Sequence, residues 1–194
     1  MKRLAFLAPL ALVMVACTIV PRSAGPQELF WERLQALCGR AWQGRVATTD
    51  PGDSQLAAAR LVIHVARCEP QAVRIAFHAG ADRSRVWVIA RAADGLSLTH
   101  VHRGEDGREE VRSRYGGETL SPGSVRRQAF PANARTRALF QREDIAAAAT
   151  NIWSVEIVPG RIFAYAIDRE GRHLRIEFDL GRPVRPPGPA WGEH

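Results

Sequence analysis

Apolar positions along this chain repeat first with the period of a helix and then with the period of strands. The helical stretch spans residues 27–37, with Pro26 at its first turn and Gly39 just past its end, the usual places for these residues at helix termini. Its apolar side chains share one stripe: Leu29, Phe30, Leu34 and Leu37. This stripe predicts an amphipathic helix that packs on a core.

Beyond this helix, apolar positions alternate with polar ones, which is typical of strands. Ten segments are predicted as strands: 41–48, 60–68, 72–78, 85–91, 96–102, 110–115, 124–130, 152–158, 161–167 and 173–180. The last is the clearest, because every second residue from Leu174 to Leu180 is apolar. Before the final three strands, residues 133–140 predict a short helix with Asn133 as its N-cap, and 141–151 predict helix or loop.

So many short strands at regular spacing predict a mainly β protein. We expect an antiparallel up-and-down β-barrel of lipocalin-like type, with an N-terminal helix and a short helix before the last three strands. Closing the sheet removes the exposed edges of the strands, and such a barrel commonly holds one small ligand. A β-sandwich is the alternative. The single domain is expected to span residues 26–181, and the Pro-rich tail 182–194 to be extended, with Trp191 packing it onto the body.

The first residues have the features of an export signal. Lys2 and Arg3 precede an apolar run, which predicts a signal peptide over residues 1–16. The sequence Met14-Val15-Ala16-Cys17 resembles the lipobox of bacterial lipoproteins, which implies that Cys17 becomes the lipidated N-terminus of a tether over residues 17–25. Cleavage without lipidation and an uncleaved anchor are the alternatives. Thr18 after the cysteine, by analogy with lipoprotein sorting, implies the outer membrane, facing the periplasm.

Cysteine usage agrees with export. If Cys17 carries lipid, Cys38 and Cys68 remain as an even pair in an oxidising compartment. A disulfide between them would stabilise the fold by about 3–4 kcal/mol in the chain-entropy model. Two buried free thiols are the alternative.

The charged residues limit the possible chemistry. Lys2 is the only lysine, so a chain without its leader lacks the lysine needed for Schiff-base chemistry or for a P-loop. The formal net charge is +7, and removal of the leader with its two basic residues and no acid leaves +5. The arginines are interleaved with acids and form no dense stripe, so we expect no nucleic-acid partner. Nothing in the sequence indicates a cofactor.

The strand that ends the hairpin over residues 85–107 carries the first candidate site. His100 and His102 share one strand face with Leu96 and Leu98, which places both histidines on or beside the apolar face. With a third ligand from a neighbouring turn they could hold a metal ion. No ligand-spacing template is matched, so a hydrogen-bonded pair of rim histidines is favoured over a metal site.

A polar run around a glycine turn adds arginines, an acid and a histidine, and arginine suits carboxylate or phosphate. Aromatic residues on strands could line a cavity, although core packing is their usual role. The predicted ligand-binding residues are His78, Asp82, Arg83, Arg85, Trp87, His100, His102, Arg103, Tyr115 and Trp153. Common nucleophile and dinucleotide motifs are absent from the sequence, so it gives no reason to expect an enzyme.

These features together favour an envelope lipoprotein that binds a small anionic or amphipathic ligand in a β-barrel. The alternatives are a His-dependent metal-binding protein or enzyme, and a structural envelope lipoprotein without a ligand.

Several short motifs also resemble a group of uncharacterised bacterial secreted proteins. They are Phe77-His78, Asp82-Arg83-Ser84-Arg85, the hairpin from His100 to Gly107, Tyr115-Gly116-Gly117, Phe130-Pro131-Ala132, Ala149-Thr150-Asn151 and Phe178-Asp179-Leu180. The likeness spans about residues 28–192. That group has no assigned activity, so the resemblance implies an exported single domain and assigns no catalytic residue.

Overall fold

Ten antiparallel strands form one sheet that curls into a nearly closed barrel. The computed structural model describes residues 24–193, so the predicted signal peptide and Cys17 lie outside the described residues. The strands are β1 (Ala41–Val46), β2 (Leu61–Cys68), β3 (Ala72–Ala79), β4 (Asp82–Ala92), β5 (Gly95–His102), β6 (Tyr115–Glu118), β7 (Arg127–Pro131), β8 (Ile152–Val158), β9 (Ile162–Arg169) and β10 (Arg172–Val184). Each strand pairs with its neighbour in sequence except β6 and β7, which are the two edges of the sheet, and β1 also pairs with β10. The predicted up-and-down barrel is confirmed.

The barrel closes through a narrow seam between β6 and β7. A single bridge joins Gly117 to Ala132, and the Asn133 N–H donates to the Gly116 carbonyl at 3.1 Å. Helix α3 (Ala134–Arg142) reinforces the seam, because the Thr136 hydroxyl accepts from the Gly116 N–H and donates to its carbonyl, both at 2.7 Å. Asn133 caps this helix as predicted, through its side-chain oxygen and the Thr136 N–H.

Helix α1 (Pro26–Gln35) covers one end of the barrel. Phe30 and Leu34 are fully buried in the core cluster, as the apolar stripe predicts. Arg91, at the end of β4, lies over the Trp31 ring and forms a two-bond ion pair with Glu28. The predicted disulfide between Cys38 and Cys68 is present and ties the end of this helix to the end of β2.

The connection between β1 and β2 covers part of the opposite end, which is called the mouth below. It consists of a 3-10 helix (Pro51–Asp53) and helix α2 (Ser54–Ala58), a segment called the lid below. Arg172, at the start of β10, holds the lid through ion pairs with Asp50 and the buried Asp53. The sequence predicted no helix between the strands at 41–48 and 60–68, because five residues of helix are too few to show a period.

The strand expected at 110–115 begins only at Tyr115. Glu109 forms ion pairs with both Arg103 and Arg114, so the preceding residues fold into an arch instead of extending. Arg114 has a φ of 55°, a left-handed conformation that ends the arch. No helix among the described residues has the length and apolar character needed to cross a membrane.

The C-terminal tail lies along the outer wall of the barrel. Ala190 is buried in a small cluster with Ala76, Val86 and Val101. The Trp191 N–H donates to the Arg83 carbonyl at 3.0 Å. A backbone hydrogen bond at Trp191 therefore holds the tail against the barrel. A further ion pair joins Glu193 to the outward-facing Arg74.

Candidate functional site

A cavity of about 460 Å³ lies inside the barrel at the mouth. One side of it is polar and is formed by Asp82, Arg85, His102 and Tyr115, from β4, β5 and β6. The opposite side is aliphatic and is formed by Leu56, Ala59, Ile167, Leu174 and Ile176, from the β1–β2 connection, β9 and β10. The cavity is therefore amphipathic, with most of its polar groups on three adjacent strands and two more, Gln55 and Tyr165, on the β1–β2 connection and β9.

Strand register aligns the polar side. Arg85 pairs with His102, and Trp87 pairs with His100, in the β4–β5 ladder. His100 pairs in turn with Tyr115 on β6. Residues directly opposite in a ladder lie on the same face of the sheet. The alternation that places His100 and His102 on the apolar face of β5 therefore also directs their neighbours into the barrel.

A β-bulge brings Asp82 to the same cavity as Arg85. Phe77 pairs with Arg85 while Ala79 pairs with Asp82, so two residues of β4 oppose His78 alone. Residues three apart on a regular strand face opposite sides, and the extra residue of a bulge changes this. The Arg85 Nη1 lies 2.5 Å from the Asp82 Oδ2, and the Ser84 N–H donates to the Asp82 Oδ1 at 2.9 Å.

Three stacked rings form the floor of the cavity. Trp87 stacks on Phe77 from the neighbouring strand, with ring centroids 5.0 Å apart. It also stacks on Tyr165, which lies on β9 on the other side of the barrel, at 4.2 Å. Aromatic packing of this kind adds stability beyond the area it buries. The stack separates the cavity from the packed core beneath it.

His100 is buried in the floor, with 2% of its surface exposed. Its Nδ1 lies 3.3 Å from the Tyr115 carbonyl, and its Nε2 lies 2.8 Å from the Tyr165 hydroxyl. Because a carbonyl only accepts, Nδ1 carries the proton and Nε2 accepts from Tyr165. Burial, together with neighbouring His102, lowers the pKa of His100 to about 3, so the ring is neutral at pH 7.

His102 and Tyr115 present hydrogen-bonding groups to the cavity itself. The Tyr115 hydroxyl lies 3.0 Å from the His102 Nε2. Burial, together with the Arg85 charge, lowers the pKa of His102 to about 4. Burial raises the pKa of Tyr115 to about 12. At pH 7 the cavity therefore has one ion pair, a neutral imidazole and a protonated phenol.

The structure gathers six of the ten predicted ligand-binding residues around one cavity: Asp82, Arg85, Trp87, His100, His102 and Tyr115. Trp153 lies in the core, in contact with the rings of His100 and Tyr115. The remaining three lie on the outer wall.

His78, Arg83 and Arg103 therefore do not line this cavity. Strand alternation is the reason for two of them, because His78 follows cavity-lining Phe77 and Arg103 follows cavity-lining His102. Arg83 is exposed in the bulge of β4. Arg83 and Arg103 lie beside the tail, and His78 is buried with no hydrogen-bond partner for its Nε2 among residues 24–193.

Tyr165 is one of the strand aromatics that the sequence allowed to line a cavity, but it was not among the predicted ligand-binding residues, and the lid was missed. Tyr165 lies between Phe163 and Ile167 on an alternating strand, so its inward direction was available from the sequence, whereas its contact with His100 was not. The lid could not be predicted from hydrophobic periodicity, because Leu56 and Ala59 lie in or beside a helix of only five residues.

The arrangement is suited to binding by hydrogen bonds and an ion pair. Both ring nitrogens of His100 already have protein partners. Within residues 24–193, no three His, Cys, Asp or Glu side chains are grouped so that they could hold a metal ion. Comparison of the chain with protein-family models, curated proteins and solved structures found no match.

Proposed function

We propose that this protein is an exported lipoprotein of the bacterial cell envelope whose barrel binds a small amphipathic molecule. The observation that supports binding is the cavity of about 460 Å³, which has a polar side and an aliphatic side. Ligand sites are typically apolar clefts of about 300–1,000 Å³ with a few polar groups that orient the ligand. This cavity falls within that range of size and combines an apolar surface with polar groups.

The shape of the interior favours binding over a purely structural role. Below the ring stack, large side chains such as Trp42, Phe163 and Phe178 are fully buried and fill the barrel. Above it, the same strands leave space that the described side chains do not occupy. This open space beside an ion pair, at the mouth of an otherwise filled barrel, supports binding over a purely structural role.

The binding test uses the Cys17→Ser protein, which avoids detergent that would compete for the cavity. We expect the anionic fluorophore 1-anilinonaphthalene-8-sulfonate to bind with a stoichiometry of one. Ala79→Trp should weaken this binding at least roughly tenfold, because Ala79 lines the cavity and a Trp side chain would fill it. Ala129→Trp, at an exposed position on β7, is the matched control. Equal binding by both variants, with unchanged circular dichroism, would refute the proposal.

The anchoring part of the proposal has a separate test. Cys17→Ser should move the protein from the membrane fraction to the soluble periplasm of the expressing bacterium. Thr18→Asp should keep the lipid and shift the protein from the outer to the inner membrane. Retention of the Cys17→Ser protein in membranes would contradict lipidation, whatever the outcome of the binding test.

A further inference from the structure

We infer that the natural occupant of the cavity is a compact aliphatic carboxylic acid whose carboxylate binds Arg85 and whose chain lies against the aliphatic side. The inference rests on the proposed function and names the ligand class for that same cavity. Its support comes from three features: the donors of Arg85, the neutral groups beside it, and the apolar surface opposite.

Most of the guanidinium N–H donors of Arg85 have no acceptor among residues 24–193. A guanidinium carries five N–H groups in a planar fork that matches a carboxylate. Within residues 24–193, the only protein acceptor bonded to Arg85 is the Asp82 carboxylate, which takes Nη1. One third of the Arg85 side chain is exposed, and the residue lines the cavity. Most of its donors are therefore open to a bound anion.

Asp82 fixes Arg85 in place. The Asp82 carboxylate is itself held by the Ser84 N–H at 2.9 Å, inside the bulge. Burial works to raise the pKa of Asp82, but the hydrogen bonds from Ser84 and the charge of Arg85 together lower it. A carboxylate held on one side of a guanidinium restricts its rotamers, so less side-chain entropy is lost when a ligand binds the other side.

A bound ligand carboxylate would be a second negative charge near Asp82, and the polar groups around His102 can compensate for it. The titratable or charged groups that face His102 are Asp82 and Arg85 on β4, Tyr115 on β6, and His100 on its own strand. A carboxylate bound among them favours the charged imidazole, so His102 takes up a proton when the ligand binds. The cavity then remains electrically balanced.

The aliphatic side of the cavity determines the chemistry of the ligand beyond its carboxylate. Leu56, Ile167, Leu174 and Ile176 contribute no hydrogen-bonding side-chain group, so the part of the ligand against them is hydrocarbon. At about 30 Å³ for each water-sized group, the cavity of about 460 Å³ holds roughly fifteen non-hydrogen atoms. Decanoate, with roughly twelve, has a suitable size.

The test compares three ligands with the same ten-carbon chain, by titration calorimetry on the Cys17→Ser protein. We expect decanoate to bind at least tenfold more tightly than decanol, and decyltrimethylammonium more weakly than either. If decanol binds as tightly as decanoate, the acid assignment is wrong while the proposed function stands. If neither these ligands nor the fluorophore binds, the proposed function itself fails.

Two neighbouring arginines provide a matched pair of variants. Arg85→Gln should weaken decanoate binding at least tenfold and change decanol binding less than about twofold. Arg83→Gln, two positions away on the outer wall of the same strand, should change neither. Equal effects of Arg85→Gln on decanoate and decanol would overturn the inference.

The pH dependence gives a readout that needs no variant. Proton uptake by His102 should make decanoate binding about two- to tenfold tighter at pH 6 than at pH 8. Decanol binding should not change between these pH values. An unchanged decanoate affinity across this range would contradict the arrangement of the carboxylate beside His102.

Discussion

Asp82 and Arg85 point into one cavity, although only two residues separate them on the same strand. A regular strand would direct them to opposite faces of the sheet. The bulge opposite His78 provides the extra residue that turns both inward. The ion pair of the cavity therefore depends on a backbone irregularity, and the predictions below concern the features that support this site.

The buried histidines should make the fold sensitive to acid. Burial lowers the pKa of His78 to about 4 and that of His100 to about 3, against about 6.5 in an unfolded chain. The unfolded state therefore binds more protons between these values. Stability should be fully present above about pH 6.5 and should fall as the pH drops toward 4, by about 1.4 kcal/mol per pH unit for each histidine.

Urea denaturation at pH 7 and pH 5 measures this slope. His78→Leu removes one titrating group, so its stability should fall less steeply with acid than that of the unmodified protein. If the free energy of unfolding depends on pH equally in the two proteins, protonation of His78 does not contribute to the acid sensitivity.

The effects of removing His100 and Tyr165 on the free energy of unfolding should not be additive, because the two side chains share a buried hydrogen bond. Tyr165→Phe leaves the buried Nε2 of His100 without a donor, and an unpaired buried polar group costs about 1–3 kcal/mol. His100→Leu removes the group that needs the donor. The double variant should therefore lose less stability than the sum of the single variants, by about 1–3 kcal/mol. A double-mutant cycle measured by chemical denaturation tests this, and exact additivity would contradict it.

The disulfide should contribute a large part of the stability. Cys38 and Cys68 are 30 residues apart in sequence, and closing a loop of that length restricts the unfolded chain. Cys38→Ser with Cys68→Ser should lower the free energy of unfolding by about 3–4 kcal/mol. Dithiothreitol should lower the unmodified protein to the same level and leave the double variant unchanged. A further effect of the reductant on the variant would point to another cause.

The seam between β6 and β7 should not accept a side chain at Gly117. A Cβ at this position would lie 1.8 Å from the Pro131 carbonyl oxygen, so the two strands would have to separate. Gly117→Ala should therefore destabilise the fold by at least about 1–3 kcal/mol and speed amide exchange at Asn133. Gly25→Ala, where a Cβ meets nothing within 4 Å, is the control. Normal protection of Asn133 in Gly117→Ala would refute this account of barrel closure.

Arg172 should control how readily the cavity opens. It holds the lid through Asp50 and through Asp53, which is buried. Arg172→Met should loosen the lid and raise the dissociation rate of the fluorophore several-fold, because lid residues cover the cavity. Stopped-flow fluorescence gives this rate. Arg45→Met, which breaks a surface ion pair between β1 and β10, should leave the rate unchanged.

The sequence by itself determined most of the strands, and it favoured a barrel while a β-sandwich stayed open. Alternation is a local property of the chain, so it placed nine of the ten strands closely and directed His100 and His102 to the inner face. The same rule directs His78 outward, since it follows Phe77. The outward direction of His78 could therefore be predicted from its position in the sequence.

Only the tertiary structure decided which residues meet across the barrel. The stack of Trp87 on Tyr165 and the bond from Tyr165 to His100 join strands far apart in sequence, and no local pattern records such contacts. The bulge that turns Asp82 inward is visible only in the register of β3 and β4. The lid over the cavity depends on an ion pair between Arg172 and residues more than a hundred positions away. Local periodicity therefore defined the strands and their inner faces, and long-range pairing and register defined the closed barrel and the site within it.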